Sequence, residues 1–269
     1  MQAKINQLAI KCWYPPKAGC MKSRPGMGGK KVYAKEVLQQ AEQTTFIDRN
    51  GKSRRLTILP PLSEKETSNL ESILGCSLPD EMRDLLSYSR GFEGILDAVD
   101  FSGNLPFEFE LFPHGLSIAA DECGNFWVID LTSGGASDTT VFYVCHDPAV
   151  IAFQSGSIAQ FIKEVLRQGN QPWNSQLTSV QEETVMNIWK NNPYVIERKD
   201  ALKSDGDLSK FAESLDESFE FADLRNATLG KGFSWGRYGA ETVCKRFGET
   251  RIFACQRREL SWFQKLFGV

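Results

Sequence analysis

Between Gly115 and His146 the chain reads GLSIAADECGNFWVIDLTSGGASDTTVFYVCH. Three successive strands account for it. Leu116 to Ala120 leads into a Gly124-Asn125 turn, Phe126 to Leu131 follows, and Val141 to Cys145 returns after a Ser/Gly-rich loop. Val, Ile, Phe, Trp and Tyr crowd the last two runs, and such residues suit a pleated, packed surface. Side chains alternate across a strand, so Trp127, Ile129 and Leu131 share one face while Phe126 and Val128 share the other. Both faces are expected to be buried. Asp130 is the exception, a carboxylate in an apolar run that needs a hydrogen-bond partner or an exposed strand end. A meander of this kind forms the centre of a domain.

The residues before it punctuate helices. Ser63 with Glu66 makes a capping box, in which hydroxyl and carboxylate each satisfy an orphan backbone N–H. Leu70, Ile73 and Leu74 form the expected buried stripe, and Gly75 supplies a left-handed cap. Pro79 opens a second helix with Asp80, Glu81 and Asp84 near its positive end, and Met82, Leu85 and Leu86 face the core. Residues 92–114 are looser, with Phe107-Glu108-Phe109-Glu110 alternating rings and acids. Beyond the meander, Ser157 caps a helix carrying Ile158, Phe161, Ile162, Val165 and Leu166 at helical spacing, which ends near Gly169.

Taken in order, several of these residues carry a resemblance. They are Leu59-Pro60, the capped helix, Gly75-x-x-Leu78-Pro79-Asp80-Glu81 with Leu85-Leu86, and Gly91-Phe92. Asp121-x-x-Gly124-Asn125, Trp127-x-x-Asp130, the Val141 to Cys145 strand and a closing helix with Phe161 complete the set. It resembles the SMI1/KNR4 family of the SUKH superfamily over about residues 56–168. The resemblance implies an α+β fold, a mostly antiparallel sheet with packed helices. It also implies a non-enzymatic binding role, most often as the immunity protein of a bacterial polymorphic toxin. Residues 1–55 then read as a basic extension with a hairpin, 56–169 as the SUKH-like domain and 170–269 as a C-terminal α+β region.

The extension holds a strand expected at Ile5 to Tyr14, an arm rich in Pro and Gly, a helix over Val32 to Gln43 and a hairpin around Asn50-Gly51. The C-terminal region shows helices at Val180 to Lys190 and at Leu208 to Leu215, the latter capped by Asp207. Phe219 to Leu224 and Arg251 to Gln256 read as strands, and Ser261 to Leu266 as an amphipathic turn. LGKGFSWGRYG, Leu229 to Gly239, lies between them.

Charge is divided unevenly. Residues 1–55 carry 12 Lys and Arg against 3 Asp and Glu, residues 56–170 carry 5 against 17, and the remainder balances at 14 each. A charge run is usually a solvated face, but this domain departs from the mixed signs that solubility alone requires. It repels phosphate, which disfavours nucleic acid, and it attracts a basic partner. No apolar run approaches a membrane span, and no signal-peptide pattern opens the chain. The seven scattered cysteines, odd in number and without C-x-x-C, suit free thiols in a reducing cytoplasm.

Catalytic signals are few. The only histidines are His114 and His146. Cys145-His146 looks reactive, yet strand neighbours point to opposite faces, so a buried thiol beside a strand-end imidazole is the plainer reading. Zinc would require Cys123, Cys145 and His146 to converge without a knuckle spacing, so neither metal nor cofactor is expected. Gly230-Lys231-Gly232 lacks the phosphate-loop spacing. Asp223, Arg225, Trp235 and Arg237 are the alternative ligand patch, meaningful if they converge in a deep pocket. The leading reading is a cytoplasmic, non-enzymatic immunity-type protein that binds a basic toxin, such as a nuclease, through an acidic face. Candidate contacts are Glu93, Asp97, Asp100, Glu108, Glu110, Asp121 and Glu122, with Phe107, Phe109 and Trp127 as anchors. A regulatory scaffold of the same family is the alternative, followed by a ligand-binding or enzymatic C-terminal region.

Overall fold

The computed structural model describes residues 32–258 apart from 48–49, 97, 106, 108, 122, 132–137 and 240. The expected Ile5–Tyr14 strand, the basic arm and the Ser261–Leu266 turn lie outside those residues. Helix α1 (Ala34–Glu42) precedes the two-stranded hairpin β1 (Phe46–Ile47) and β2 (Ser53–Arg54), then β3 (Thr57–Ile58). Helices α2 (Glu64–Leu74) and α3 (Asp80–Tyr88) lead to β4 (Gly91–Glu93) and β5 (Ala98–Asp100). The meander follows as β6 (Gly115–Ala120), β7 (Phe126–Asp130) and β8 (Val141–His146), extended by β9 (Ala149–Ser155). Helix α4 (Ile158–Gln168) is followed by α5 (Gln176–Ser179), a π-helical turn at Val180–Thr184, and α6 (Val185–Asn191). The remaining elements are β10 (Ile196–Glu197), α7 (Arg198–Ala201), α8 (Gly206–Glu213), β11 (Phe219–Asp223), β12 (Gly232–Ser234), β13 (Cys244–Arg246) and β14 (Ile252–Gln256).

The fold is α+β, with every strand pair among the described residues antiparallel. An eight-stranded sheet runs β12-β9-β8-β7-β6-β5-β4-β3, and a four-stranded sheet runs β10-β11-β14-β13. Strand alternation sorts the large sheet into two buried faces. Trp127, Ile129, Val141, Tyr143, Cys145, Val150 and Ala152 pack with residues of α1, α3, α4 and α6. Val128, Phe142, Val144 and Ile151 pack with Ala222, Leu224, Phe233 and Phe253 of the C-terminal region. Trp127 is 0 % exposed and its Nε1 donates to Gln154 Oε1 at 3.0 Å. Burying both faces explains why β7 and β8 are nearly continuous apolar runs.

The C-terminal region is thus the second cover of the sheet. The described residues from 32 to 258 belong to one compact unit, and one apolar cluster draws residues from both sides of the 169–172 break. Strand β12, inside the Gly-rich segment, adds itself to the sheet edge beside β9. Gly232 permits that approach, since a Cβ there would collide with the Ile151 carbonyl. Strand β12 is only three residues long and takes its strand geometry from β9, whereas β9, seven residues and mostly apolar, is a strand the sequence reading did not single out.

Local signals hold at most helix ends. Ser63 Oγ accepts from Glu66 N at 3.3 Å, Glu66 Oε2 accepts from Ser63 N at 2.8 Å, and Gly75 caps α2 at φ 68°. Three details differ from expectation. Ile73 is 75 % exposed, because the narrow contact of α2 is made by Leu70 and Leu74, four residues apart on one stripe. Helix α8 is capped by Asp205, whose carboxylate accepts from Leu208 N at 3.4 Å, with Asp207 already inside the first turn. Cys244 and Cys255 face each other across β13–β14 and form a disulfide, so the thiols are not all free.

Candidate interaction surface

Antiparallel pairing places the β4–β5, β6–β7 and β8–β9 connections at one end of the large sheet. Trp235 emerges at the same end, its N–H donating to Ala149 O at 3.0 Å. Asp121 organises this end. Its Oδ1 accepts from Cys123 N at 3.0 Å and Asn125 N at 2.9 Å. Its Oδ2 accepts from Asn125 Nδ2 at 3.0 Å, the Tyr143 hydroxyl at 2.8 Å and Gln181 Nε2 at 3.2 Å. Gly124 completes the turn at φ 79°. Burial, then the Asp121 carboxylate, raises the Tyr143 phenol far above its usual value, so it stays a donor. Gln181 comes from the π-helical turn, which ties residues beyond the meander to its central turn.

On the other face of the sheet, starting at Phe126, lies a strip of half-buried rings. Phe107 meets Phe126 at 5.6 Å between centroids and Phe109 at 6.1 Å, and Phe109 meets Trp235 edge-on at 5.0 Å. The indole is fixed in place because its Nε1 donates to Cys145 O at 3.3 Å. Glu93, Glu110 and Asp147 are exposed, and none has an ion-pair partner among the described residues. Burial pushes the Cys145 thiol up to about 11, while His146 is exposed and its Nδ1 lies 2.9 Å from Asn125 Oδ1. The pair points apart, as strand geometry requires.

The opposite end answers the Asp130 question. Asp130 is 1 % exposed, and Arg246 grips it bidentately at 2.9 and 3.0 Å. Arg251 Nε adds a bond at 2.9 Å, and Arg251 also pairs with Asp138 at 2.8 Å. Burial would raise the Asp138 carboxyl, but Arg251 and Thr140 outweigh it and hold it below its usual value. The sequence announced that Asp130 needed a partner. It could not choose two arginines more than a hundred positions away.

The expected contacts therefore divide. Glu93, Phe107, Phe109 and Glu110 remain accessible, whereas Asp97, Glu108 and Glu122 lie outside the described residues. Asp121 is occupied within its turn, and Asp100 accepts from Ser102 N at 2.8 Å and Asn104 Nδ2 at 3.4 Å. Trp127 is a core residue, not a surface anchor, because its strand face looks toward the helices. The C-terminal patch does not converge. Arg225 is held by Asp223 at 2.6 Å and Asp205 at 2.7 Å, whereas Arg237 donates to Trp189 O and Trp235 joins the aromatic strip. A small cavity nearby is lined by Glu220, Phe221, Phe233, Ser234 and Phe253, and by none of those four. Among the described residues no group of three or more His, Cys, Asp or Glu is placed to hold a metal ion, and no helix is long and apolar enough to cross a membrane.

Residues 61–164 match the model of the SMI1 / KNR4 family (SUKH-1). That segment is similar to the SUKH-1 family. It runs from just before α2 into α4 and so includes the meander, the Asp121 turn and both expected phenylalanines. It covers less than half of the chain and ends before Gln181, Trp235, Arg246 and Arg251. The family includes immunity proteins. No curated protein and no solved structure gives a significant match to the chain.

Proposed function

We propose that this chain is a non-enzymatic, immunity-type protein that neutralises a basic toxin, such as a nuclease, by covering its substrate groove. The observation that carries this reading is the exposed set Glu93, Glu110 and Asp147 on a SUKH-1 segment, without an ion-pair partner among the described residues, whereas the buried Asp130 is paired twice. Such acids attract a phosphate-gripping surface and speed encounter, while apolar anchors hold the complex. A regulatory scaffold would use the same surface on a different partner. Capture of binding proteins by the tagged full chain, followed by co-expression of the captured partner, separates the two. The expected result is a basic protein whose toxicity the chain suppresses. A captured partner that is harmless in cells without the chain would replace immunity with scaffolding.

A further inference from the structure

Phe107, Phe109, Phe126 and Trp235 stay half-buried although all four touch one ring system. Contiguous apolar surface of this kind marks contact sites when it is rimmed by polar groups. Here the rim is acidic, with Glu110 next to Phe109 in sequence and Asp147 in the β8–β9 connection beside which Trp235 is pinned. Arg237, the base two residues beyond Trp235, is turned away, donating to Trp189 O at 2.5 Å and Lys190 O at 3.4 Å. Rings with a negative rim suit one occupant above others. A protein presenting Arg or Lys can lay a guanidinium or ammonium over the rings while pairing with the acids.

Trp235 is outside the family segment, and three features place it. Gly232–Ser234 pairs with β9, the Trp235 N–H is bonded to Ala149 O, and the indole is bonded to Cys145 O. An aromatic held this way loses little conformational freedom on binding, which is what an anchor requires. We infer that the docking surface is composite: the SUKH-1 segment supplies Phe107, Phe109 and Phe126, the C-terminal region supplies the fixed indole of Trp235, and the occupant is an Arg/Lys-rich protein surface. This rests on the binding role proposed above and adds that recognition extends beyond residue 164.

The test places a photo-cross-linking benzoylphenylalanine at position 93, 109 or 235 of the full chain in its native cells, with exposed position 73 on α2 as control. Adducts at 109 and 235 with one basic protein, weakened in high salt, are expected. Trp235→Ala and Phe109→Ala should then each weaken binding of that protein about thirty-fold, the loss typical of an aromatic hot spot. Trp235→Phe should retain most of the binding, which separates an anchor from a misfolded variant. Adducts at 93 without any at 235 would overturn the composite surface and leave the proposed function standing. Adducts only to the chain's own ends, to an acidic protein or to nucleic acid would overturn the stated occupant. No adduct at any position would overturn the inference and the binding role together.

Discussion

The two ends of the central sheet treat their carboxylates in opposite ways. Where β7 runs out, Asp130 is buried and shared by two guanidinium groups that also lie over Phe112, Phe142 and Phe253. At the turn end, Asp121 is satisfied by neutral donors, and Glu93 and Asp147 face solvent. A buried charge must be paired and hydrogen-bonded, so it recruits bases from wherever the chain can deliver them. Rim acids have no such requirement and stay available. A total of 17 acids against 5 bases over residues 56–170 therefore overstates the acidity a partner would meet, because Lys35, Arg246 and Arg251 come from outside that span to pair with Asp84, Asp130 and Asp138.

Breaking the buried end should have the largest effect. Asp130→Ala leaves two guanidinium groups without their shared carboxylate and should cost about 3–5 kcal/mol in urea unfolding. Asp130→Leu combined with Arg246→Met and Arg251→Met should recover most of that loss, as apolar replacements of buried ion networks do. A single variant as stable as wild type would erase the contrast between the ends. Next in size, Gly124→Val forces a β-branched residue to φ 79° in the Asp121 turn and should cost roughly 1–2 kcal/mol or more. A variant that melts with the wild type would show that the turn end tolerates strain the geometry says it cannot.

Glu220 sharpens the comparison, being a buried acid held by Tyr238 at 3.0 Å and Asn192 at 3.4 Å, with no ion-pair partner among the described residues. Burial raises its carboxyl above 4.5, although Tyr238 and the more distant Arg257 and Arg237 oppose the shift. Its contribution to stability is thus fully present below that value and lost as pH rises through the raised folded value. Glu220→Gln should be more stable than wild type near neutrality, by less than the effects above, with the advantage vanishing in acid. Denaturant midpoints across a pH series would show it, and a pH-independent difference would contradict it. The smallest effect on stability belongs to the rim. Glu93→Gln, Glu110→Gln and Asp147→Asn together should leave unfolding within about 0.5 kcal/mol of wild type. Association with a basic partner should nevertheless slow and lose part of its salt dependence, with dissociation little changed. A change in dissociation alone would move these residues from rim to anchor.

Much of the site was legible because its signals are local. The Asp121, Gly124 and Asn125 turn, the Ser63–Glu66 box and the alternation of β7 depend on residues a few positions apart, where spacing fixes geometry. Phe107 and Phe109, expected as anchors, are half-buried against the second core cluster, and Trp127 is fully buried. Composition marks an aromatic as contact-forming without saying whether the contact is core or partner.

The sequence by itself determined the meander, the capped helices, the faces of β7 and the need of Asp130 for a partner, since each follows from periodicity or from the cost of burying one group. Only the tertiary structure decided that Arg246 and Arg251 meet that need, that Gln181 reaches Asp121, that Cys244 faces Cys255, and that Trp235 joins Phe109. Those pairings depend on how two sheets stack and where a strand joins an edge. Backbone register and apolar packing set both, and the local sequence around each partner is compatible with many other choices.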